Sequence, residues 1–465
     1  MLAAIAHPIL LFSQTPAQEL NLDLKTALSI ARENYPAIKM KLAEKEASQY
    51  ETKAVKSSYL PNLIVQGQLL NGTSNQVRGP FFPNEGMAIP VSGGIKPNGY
   101  TGTSVWTSYA TALINWKFFN FGKVKSSVET ANAEEVKAEA DYQNEVFQHL
   151  IRVSDAYLLS VMTLDMVKSS RANLERVNAL KNVTNAYTSS GLKPGVDSSL
   201  VKAEYSKATL LFLEAQRNAA EQQLMLKELL GMSDDNTPLR LDTASYLSQE
   251  PLPVEIENDF TKNTRLTYYK SIVDLNDIKI KAIRRKEYPS ISFLAGSWAR
   301  GSGIADKQLP NGDFQYDKSL SGGAQFRPYL DWMVGVSTIW NVTTLLRTGN
   351  EARAQRKVAV MAQERYNEES LKVQTEISRA RLYYQAALEM ARQAPLQLRA
   401  AMDAYGQSKA RYDAGLTTIL ELTQTFTLLN RAEVDASIAR GNVWRALIQY
   451  AAASGDMSAF TNNLK

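Results

Sequence analysis

Two kinds of hydrophobic pattern alternate along this chain. Between Lys123 and Ser190, 68 residues contain neither Gly nor Pro. Apolar side chains recur there at mixed three- and four-residue spacing, as in Val146, Leu150, Val153 and Tyr157. This is the pattern of a coiled-coil seam. At 1.5 Å per residue the predicted helix is about 100 Å long, which is too long for one compact domain.

Each long helix is followed by a break and a second helix. Gly191 and Gly195 interrupt the first helix, and the chain then predicts a new helix to about Leu230. So short a connection requires the two helices to run antiparallel, as a hairpin over residues 121–230. A second hairpin is predicted over residues 350–453, with its break at Gly415.

The second pattern is strict alternation over about ten residues. It predicts four strands, at about 60–70, 105–119, 289–298 and 329–340. Aromatic residues stand near their ends, including Tyr59, Trp116, Tyr288 and Trp340. This length, alternation and aromatic placement are typical of transmembrane strands, although a soluble sheet with one wet face gives the same alternation.

The two halves repeat each other. Trp116 precedes Gly191 by 75 residues, and Trp340 precedes Gly415 by the same 75. We therefore predict an internal duplication, with a first repeat at 18–230, a linker at 231–258, a second repeat at 259–455 and a C-terminal tail at 456–465. The apolar stretch within residues 1–17 predicts a secretory signal, although no Lys or Arg precedes it.

Composition narrows the function classes. The 52 basic and 47 acidic residues are interspersed, which disfavours a nucleic-acid partner because such a partner requires a basic stripe. The chain has no Cys, which excludes disulfides and thiolate metal sites. Only His7 and His149 are present, and His149 is read as a helix-surface or packing residue. We expect no cofactor, no metal and no catalysis.

These features resemble the outer-membrane efflux protein family, the TolC-like channel-tunnels. The resemblance covers residues 20–455. It rests on Tyr59-Leu60-Pro61 before the first strand, the Trp-x-Phe-Phe-Asn-Phe-Gly run at 116–122, the Gly-Leu hairpin turns at 187–192 and 412–416, and the duplication.

The resemblance implies a mixed fold, mainly α with β. Long antiparallel helical hairpins would form a periplasmic tube, and four strands would contribute to a trimeric twelve-stranded transmembrane β-barrel. The physics agrees, because four strands cannot close a barrel and open sheet edges are not tolerated in lipid. The partners implied are two further copies of the chain, outer-membrane lipid, a periplasmic adaptor protein and, indirectly, an inner-membrane pump.

The resemblance also implies a gate at the hairpin tips, where a Tyr–Asp hydrogen bond and an Arg tie the hairpins together beside a ring of acids. By alignment on the turn glycines, Asp197 and Tyr412 take the places of that pair. Glu421 replaces the first ring acid, Gln424 the second, and Thr417 the Arg. Simpler structural roles remain as alternatives to the gate. Asp197 also fits a helix N-cap, and Glu421 also fits a solvated helix face.

The remaining tip residues, Gly191, Leu192, Gly415 and Leu416, are expected to meet the adaptor. The function implied is a passive exit duct of a tripartite efflux or type I secretion system. A periplasmic coiled-coil scaffold or adaptor without a barrel is the alternative, because long hairpins alone fit it equally well.

Overall fold

The computed structural model describes residues 20–73, 102–232, 239–247, 263–326 and 330–462. The predicted signal at 1–17, most of the predicted linker and residues 74–101 lie outside these residues. The helices are α1 (Leu24–Asn34), α2 (Pro36–Lys56), α3 (Lys123–Ser189), α4 (Gly195–Leu229), α5 (Ala244–Leu247), α6 (Thr264–Arg285), α7 (Leu320–Ala324), α8 (Thr344–Asp413), α9 (Ile419–Ser454) and α10 (Ser458–Thr461). The strands are β1 (Leu20–Leu22), β2 (Asn62–Thr73), β3 (Ser104–Phe119), β4 (Leu239–Leu241), β5 (Ser290–Ser302), β6 (Ile304–Gln308), β7 (Phe314–Tyr316) and β8 (Asp331–Ile339).

The long helix α3 forms where the sequence lacks breakers, whereas the long helix α8 contains Gly349, Pro395 and Gly406. They have 67 and 70 residues, and α8 continues through Pro395. A five-residue connection joins α3 to α4 and another joins α8 to α9, which gives the two antiparallel hairpins. None of the helices among the described residues has a stretch long and apolar enough to cross a membrane.

The four long strands form one antiparallel sheet in the order β2-β3-β5-β8. Residues that pair directly across neighbouring strands lie on the same face of the sheet. One face therefore carries Leu63, Val65 and Leu69 of β2 together with Ala110 and Ala112 of β3. On β8, Trp332, Val334 and Val336 continue that face, and they are exposed. Gln66, Gln68 and Thr111 lie on the opposite face. One face is therefore apolar and uncovered, which is the reverse of a soluble sheet.

A matching contact closes the sheet at its helical end in each repeat. The indole Nε1 of Trp116 donates to the carbonyl of Tyr59 at 2.9 Å, and that of Trp340 donates to the carbonyl of Glu287 at 3.0 Å. In each case a tryptophan near or just after the end of the second strand is bound to the residue that stands three positions before the first strand. The duplication read from the sequence is thus visible as a repeated side-chain contact.

Residues 299–326 form regular elements, although their five glycines are typical of an irregular surface loop. β5 extends through Ser302, β6 and β7 form a hairpin, and α7 packs against β3. The glycines permit this packing, because a Cβ on Gly323 would clash with the Trp106 side chain. Here the glycines mark close approach of the backbone and not an irregular loop.

The segment expected to be a tail also has structure. It includes α10, where Phe460 is fully buried against Trp444 in the main core. Within the predicted linker, β4 pairs in parallel with β1. Both segments are held by contacts that are remote in sequence, so local pattern gives no sign of them.

The described residues divide into two compact units. The hairpin unit lies within Met1–Ala47, Val136–Val273 and Met361–Lys465, and the sheet unit within Ser48–Glu135 and Asp274–Val360. Each unit draws on both predicted repeats, and α3 and α8 contribute residues to both. The core of the hairpin unit is centred on Tyr157, Tyr246 and Trp444, whose rings meet edge to face.

Candidate gate at the hairpin tips

Both hairpins end in the same turn. Gly191 and Gly415 have φ values of 75° and 73°. The amide of Leu192 donates to the carbonyl of Tyr187, and that of Leu416 to the carbonyl of Arg411, in each case five residues back. These are Schellman motifs, which need Gly at the left-handed position. They leave the side chains of Leu192 and Leu416 each 71 % exposed at the tips.

The two tip tyrosines occupy different positions in these turns. Tyr187 stands four residues before its glycine, whereas Tyr412 stands three before. One residue turns a helical side chain by about 100°. As a result Tyr187 is exposed and Tyr412 is 2 % exposed. Tyr412 therefore points into the packing between the hairpins.

Tyr412 lies in a small apolar cluster that joins the two hairpins. Its cluster neighbours are Val201 of α4, Ile419 and Leu422 of α9, and the partly buried Leu180 of α3. The ammonium of Lys193, in the first hairpin turn, lies 4.6 Å from the centre of the Tyr412 ring. Packing and a cation–π contact thus hold the tips together.

The Tyr412 phenol does not make the hydrogen bond to Asp197 that the resemblance implies. Burial raises the pKa of Tyr412, the nearby Thr184 hydroxyl opposes the rise, and the charge of Asp197 adds to it. Asp197 is therefore close enough to act electrostatically. However, the Tyr412 and Thr184 hydroxyls do not form a hydrogen bond with each other. Both are buried without a hydrogen-bond partner among the described residues.

Asp197 itself lies in the first turn of α4, whose N-cap is Pro194. It is therefore not the N-cap. A carboxylate in the first turn is favourable because it opposes the positive end of the helix dipole. The partly exposed Asp197 stays near water, and burial against Tyr412 would cost it solvation.

Glu421 is paired inside its own hairpin. Arg411 Nη1 lies 3.2 Å from Glu421 Oε1, and the Thr417 hydroxyl donates to Glu421 Oε2. Its backbone amide is held by the Thr418 side chain at the N-cap of α9. Thr417 thus binds the acid instead of tying the hairpins together. Gln424 is exposed one turn later and takes no part in this network.

A row of polar contacts joins α3 to α9 farther from the tips. Arg176 makes two contacts to Glu433, at 2.7 and 2.5 Å; Ser437 donates to Asp165 at 2.6 Å; and Arg445 makes two contacts to Asp155, at 2.7 and 3.1 Å. Sequence reasoning missed these pairs, and it missed Arg411 and Lys193. The only signal available was a basic residue in the last turn of α8, which the helix dipole favours.

The outer membrane efflux protein family model matches residues 27–232 and 273–456, most of the chain and both repeats. This chain belongs to that family. None of the curated proteins shows significant sequence similarity to it.

Solved structures share the fold of this efflux protein. CusC, whose structures concern folding and transmembrane channel formation, gives a TM-score of 0.75 at 12 % identity, covering 98 % of this chain and 99 % of CusC. The outer membrane protein VceC of Vibrio cholerae gives 0.71 at 15 %, covering 93 % and 96 %. The open state of the MtrE outer membrane channel of Neisseria gonorrhoeae gives 0.70 at 15 %, covering 95 % and 90 %. The mainly helical fold with a four-stranded sheet is therefore that of TolC-like channel-tunnels.

Proposed function

We propose that this outer membrane efflux protein is a passive exit duct. It receives cargo from an inner-membrane pump through a periplasmic adaptor, in tripartite efflux or type I secretion. The observation that carries the proposal is a sheet with one bare apolar face, built into the same chain as two long hairpins with packed tips. A scaffold or adaptor has no use for such a sheet.

The dimensions of the sheet support a membrane location. Trp106 and Trp116 stand ten residues apart on the same face of β3. That separation is about 34 Å along the strand and, at the tilt usual for transmembrane strands, about 25 Å across the membrane. This matches the apolar band between two aromatic girdles in outer membranes.

The sheet edges support assembly from several copies. Within the described residues β2 and β8 each pair on one side only. Their other edges carry unpaired backbone groups, which are costly in lipid. We propose that β2 of one copy pairs with β8 of the next, in the trimer expected from the sequence.

The hairpin tips are the proposed periplasmic gate. The Tyr412 cluster, with Asp197 beside it, keeps the two hairpins of one copy together, and Glu421, Thr417 and Gln424 lie on the adjoining start of α9. Three copies of Glu421 would favour cations. The exposed tip residues Leu192 and Leu416, on their Gly191 and Gly415 turns, form the proposed adaptor contact.

Two measurements test the proposal. Envelope fractionation with a carbonate wash should recover the protein in the outer-membrane fraction, and purified protein in planar bilayers should show discrete conductance steps. A variant with Val65→Asp and Val336→Asp, which charges the bare face, should lose membrane recovery. Release of the native protein by the wash, or a folded protein without conductance, would contradict the duct.

A further inference from the structure

The junction between the sheet and the helices carries aromatic and basic side chains that the gate and the duct do not use. We call this group the collar: Lys117, Phe121, Lys123, Arg285 and Tyr288. All five lie in the sheet unit: Lys117 near the end of β3, Phe121 and Lys123 just after β3, and Arg285 and Tyr288 just before β5.

Phe121 is held in an unusual backbone conformation. Its φ is 49°, and among the described residues it is the only residue other than glycine with a positive φ. Aromatic residues rarely adopt this conformation, and it persists only where the surroundings impose it. Its ring stacks on Tyr288 at 5.8 Å and meets Phe119 edge-on at 4.7 Å. Even so, the Phe121 side chain is 37 % exposed, so the strain is not compensated by full burial.

The cations of the collar are not neutralised by carboxylates. Arg285 lies 5.7 Å from the centre of the Tyr288 ring and packs beside Gly122. Lys117, Lys123 and Arg285 have no ion-pair partner among the described residues. Burial, and then repulsion from Lys117, lowers the pKa of Lys123.

Two acids of the same unit do not pair with these cations. Glu287 accepts from the Thr348 hydroxyl, and Glu351 lies 3.2 Å from Arg347 and 3.9 Å from Lys286. The collar therefore holds three cations without a direct ion pair among the described residues, beside exposed rings. An anion with an apolar portion satisfies both features, because it neutralises the cations and covers the rings.

The collar lies where such a ligand is abundant. It adjoins Trp116, at the helical end of the apolar face, and therefore lies at headgroup depth if the sheet is in lipid as proposed above. We propose that the collar binds anionic phospholipid of the leaflet nearest the helices, with Lys117, Lys123 and Arg285 on the phosphate and Phe121 and Tyr288 at the acyl boundary. This inference rests on the membrane location in the proposed function.

The test uses the purified full-length protein in detergent and follows thermal unfolding while phosphatidylglycerol is added. Half-maximal stabilisation should need at least about tenfold more phosphatidylglycerol in Lys117→Gln/Arg285→Gln, since each basic group near an anionic surface contributes about 1 kcal/mol. The matched control is Lys307→Gln/Lys318→Gln, which removes two exposed cations from the other end of the sheet. The control should titrate as the native protein does.

Two comparisons identify the ligand. Phosphatidylcholine and inorganic phosphate should each stabilise the native protein much less than phosphatidylglycerol. Equal stabilisation by phosphatidylcholine, or by inorganic phosphate alone, would overturn the proposal. So would an equal effect of the two double variants.

Phe121→Gly tests the rings separately. It relieves the strained φ but also removes the ring contacts with Phe119 and Tyr288, so each unfolding temperature is compared with that of the same variant in lipid-free detergent. The stabilisation by phosphatidylglycerol should fall, and an undiminished effect would contradict the role of the ring. Conductance recorded from the same preparations separates the two proposals: a conducting protein without phosphatidylglycerol preference refutes the collar alone.

Discussion

Arg411, near the end of α8, pairs with Glu421 of α9 across the second hairpin turn at 3.2 Å. Both side chains are about half exposed, so the pair contributes little to stability. Its consequence is electrostatic. The acid expected to line the pore is partly neutralised within its own chain, by an arginine that the alignment on the turn glycines did not identify.

Arg411→Gln should increase cation preference, because it leaves Glu421 without its counter-charge. Glu421→Gln should reduce that preference, and the double variant should behave as Glu421→Gln does. The measurement is the reversal potential in a salt gradient across a planar bilayer. Lys409→Gln is the control, since Lys409 pairs with Asp413 on the same turn of α8. An identical reversal potential in all four variants would remove Glu421 from the pore.

Tyr412→Phe should leave the closed state intact and change stability by less than about 1 kcal/mol, because the phenol hydroxyl has no hydrogen bond to lose. Tyr412→Ala should raise the closed-state conductance, because it empties the cluster that joins the hairpins; large-to-small changes of this kind cost about 3–5 kcal/mol in cores. Single-channel recording and thermal unfolding report both effects. If Tyr412→Phe opened the channel as far as Tyr412→Ala does, the hydrogen-bonded gate implied by the resemblance would be correct.

Gly415→Ala should destabilise the second tip by about 1 kcal/mol, since the residue has φ of 73°. Gly406→Ala is the matched control in the interior of α8. That glycine has an ordinary helical φ and open space around its Cβ position, so alanine should stabilise the helix by up to about 1 kcal/mol. Hydrogen exchange at the amide of Leu416 and thermal unfolding measure the two effects. The same sign in both variants would contradict the turn geometry.

Glu433→Gln should lower the free energy of unfolding by about 1–3 kcal/mol, because the partly buried Arg176 loses a carboxylate held by two short contacts. The Arg176 Nε is already buried without a hydrogen-bond partner among the described residues. Glu389→Gln, in an exposed pair with Arg392, should change stability by less than about 0.5 kcal/mol. Denaturant unfolding in detergent compares the two. Equal effects would mean that the Arg176–Glu433 contact contributes no more to the free energy of unfolding than an exposed pair does.

His149 should make the protein less stable in weak acid. Its Nε2–H donates to the carbonyl of Leu229 at 2.9 Å, and its ring stacks on Tyr35. Its Nδ1 is buried and has no partner in the part of the chain that the structure describes. Burial lowers the pKa of His149, so the unfolded chain binds a proton more readily than the folded one. Stability is therefore retained above about pH 6.5 and falls as the pH decreases below it, by up to about 1.4 kcal/mol per unit.

His149→Gln keeps a donor for Leu229 and removes the titration. The native protein should lose stability relative to this variant between pH 7.5 and 5.5, as followed by denaturant unfolding at each pH. The comparison cancels the carboxylates, which titrate in both proteins. Parallel pH curves would show instead that the pKa of His149 is the same in the folded and unfolded states.

The sequence by itself determined the elements that depend on near neighbours. A breaker-free stretch predicted α3, and the repeat of the same pattern in the second half predicted α8 in spite of its Pro395. Glycines predicted the Gly191 and Gly415 turns, and alternation predicted the sheet and its apolar face. The family followed from the same features, because their spacing repeats. Backbone hydrogen bonds and hydrophobic periodicity act over a few residues, so a linear pattern records them.

Tertiary structure alone decided what each functional side chain touches. The single-residue offset between Tyr187 and Tyr412 acquires meaning only when the hairpins pack and one tyrosine becomes buried. Arg411 pairs with Glu421, which is ten residues away in the chain, and Arg176 pairs with Glu433, which is more than 250 residues away. β5 pairs with β3 as far as Ser302 and α7 packs against β3, although the glycines of this segment are typical of a loop. Such contacts depend on how whole helices and strands are placed, because partners distant in the chain meet only after the backbone has folded.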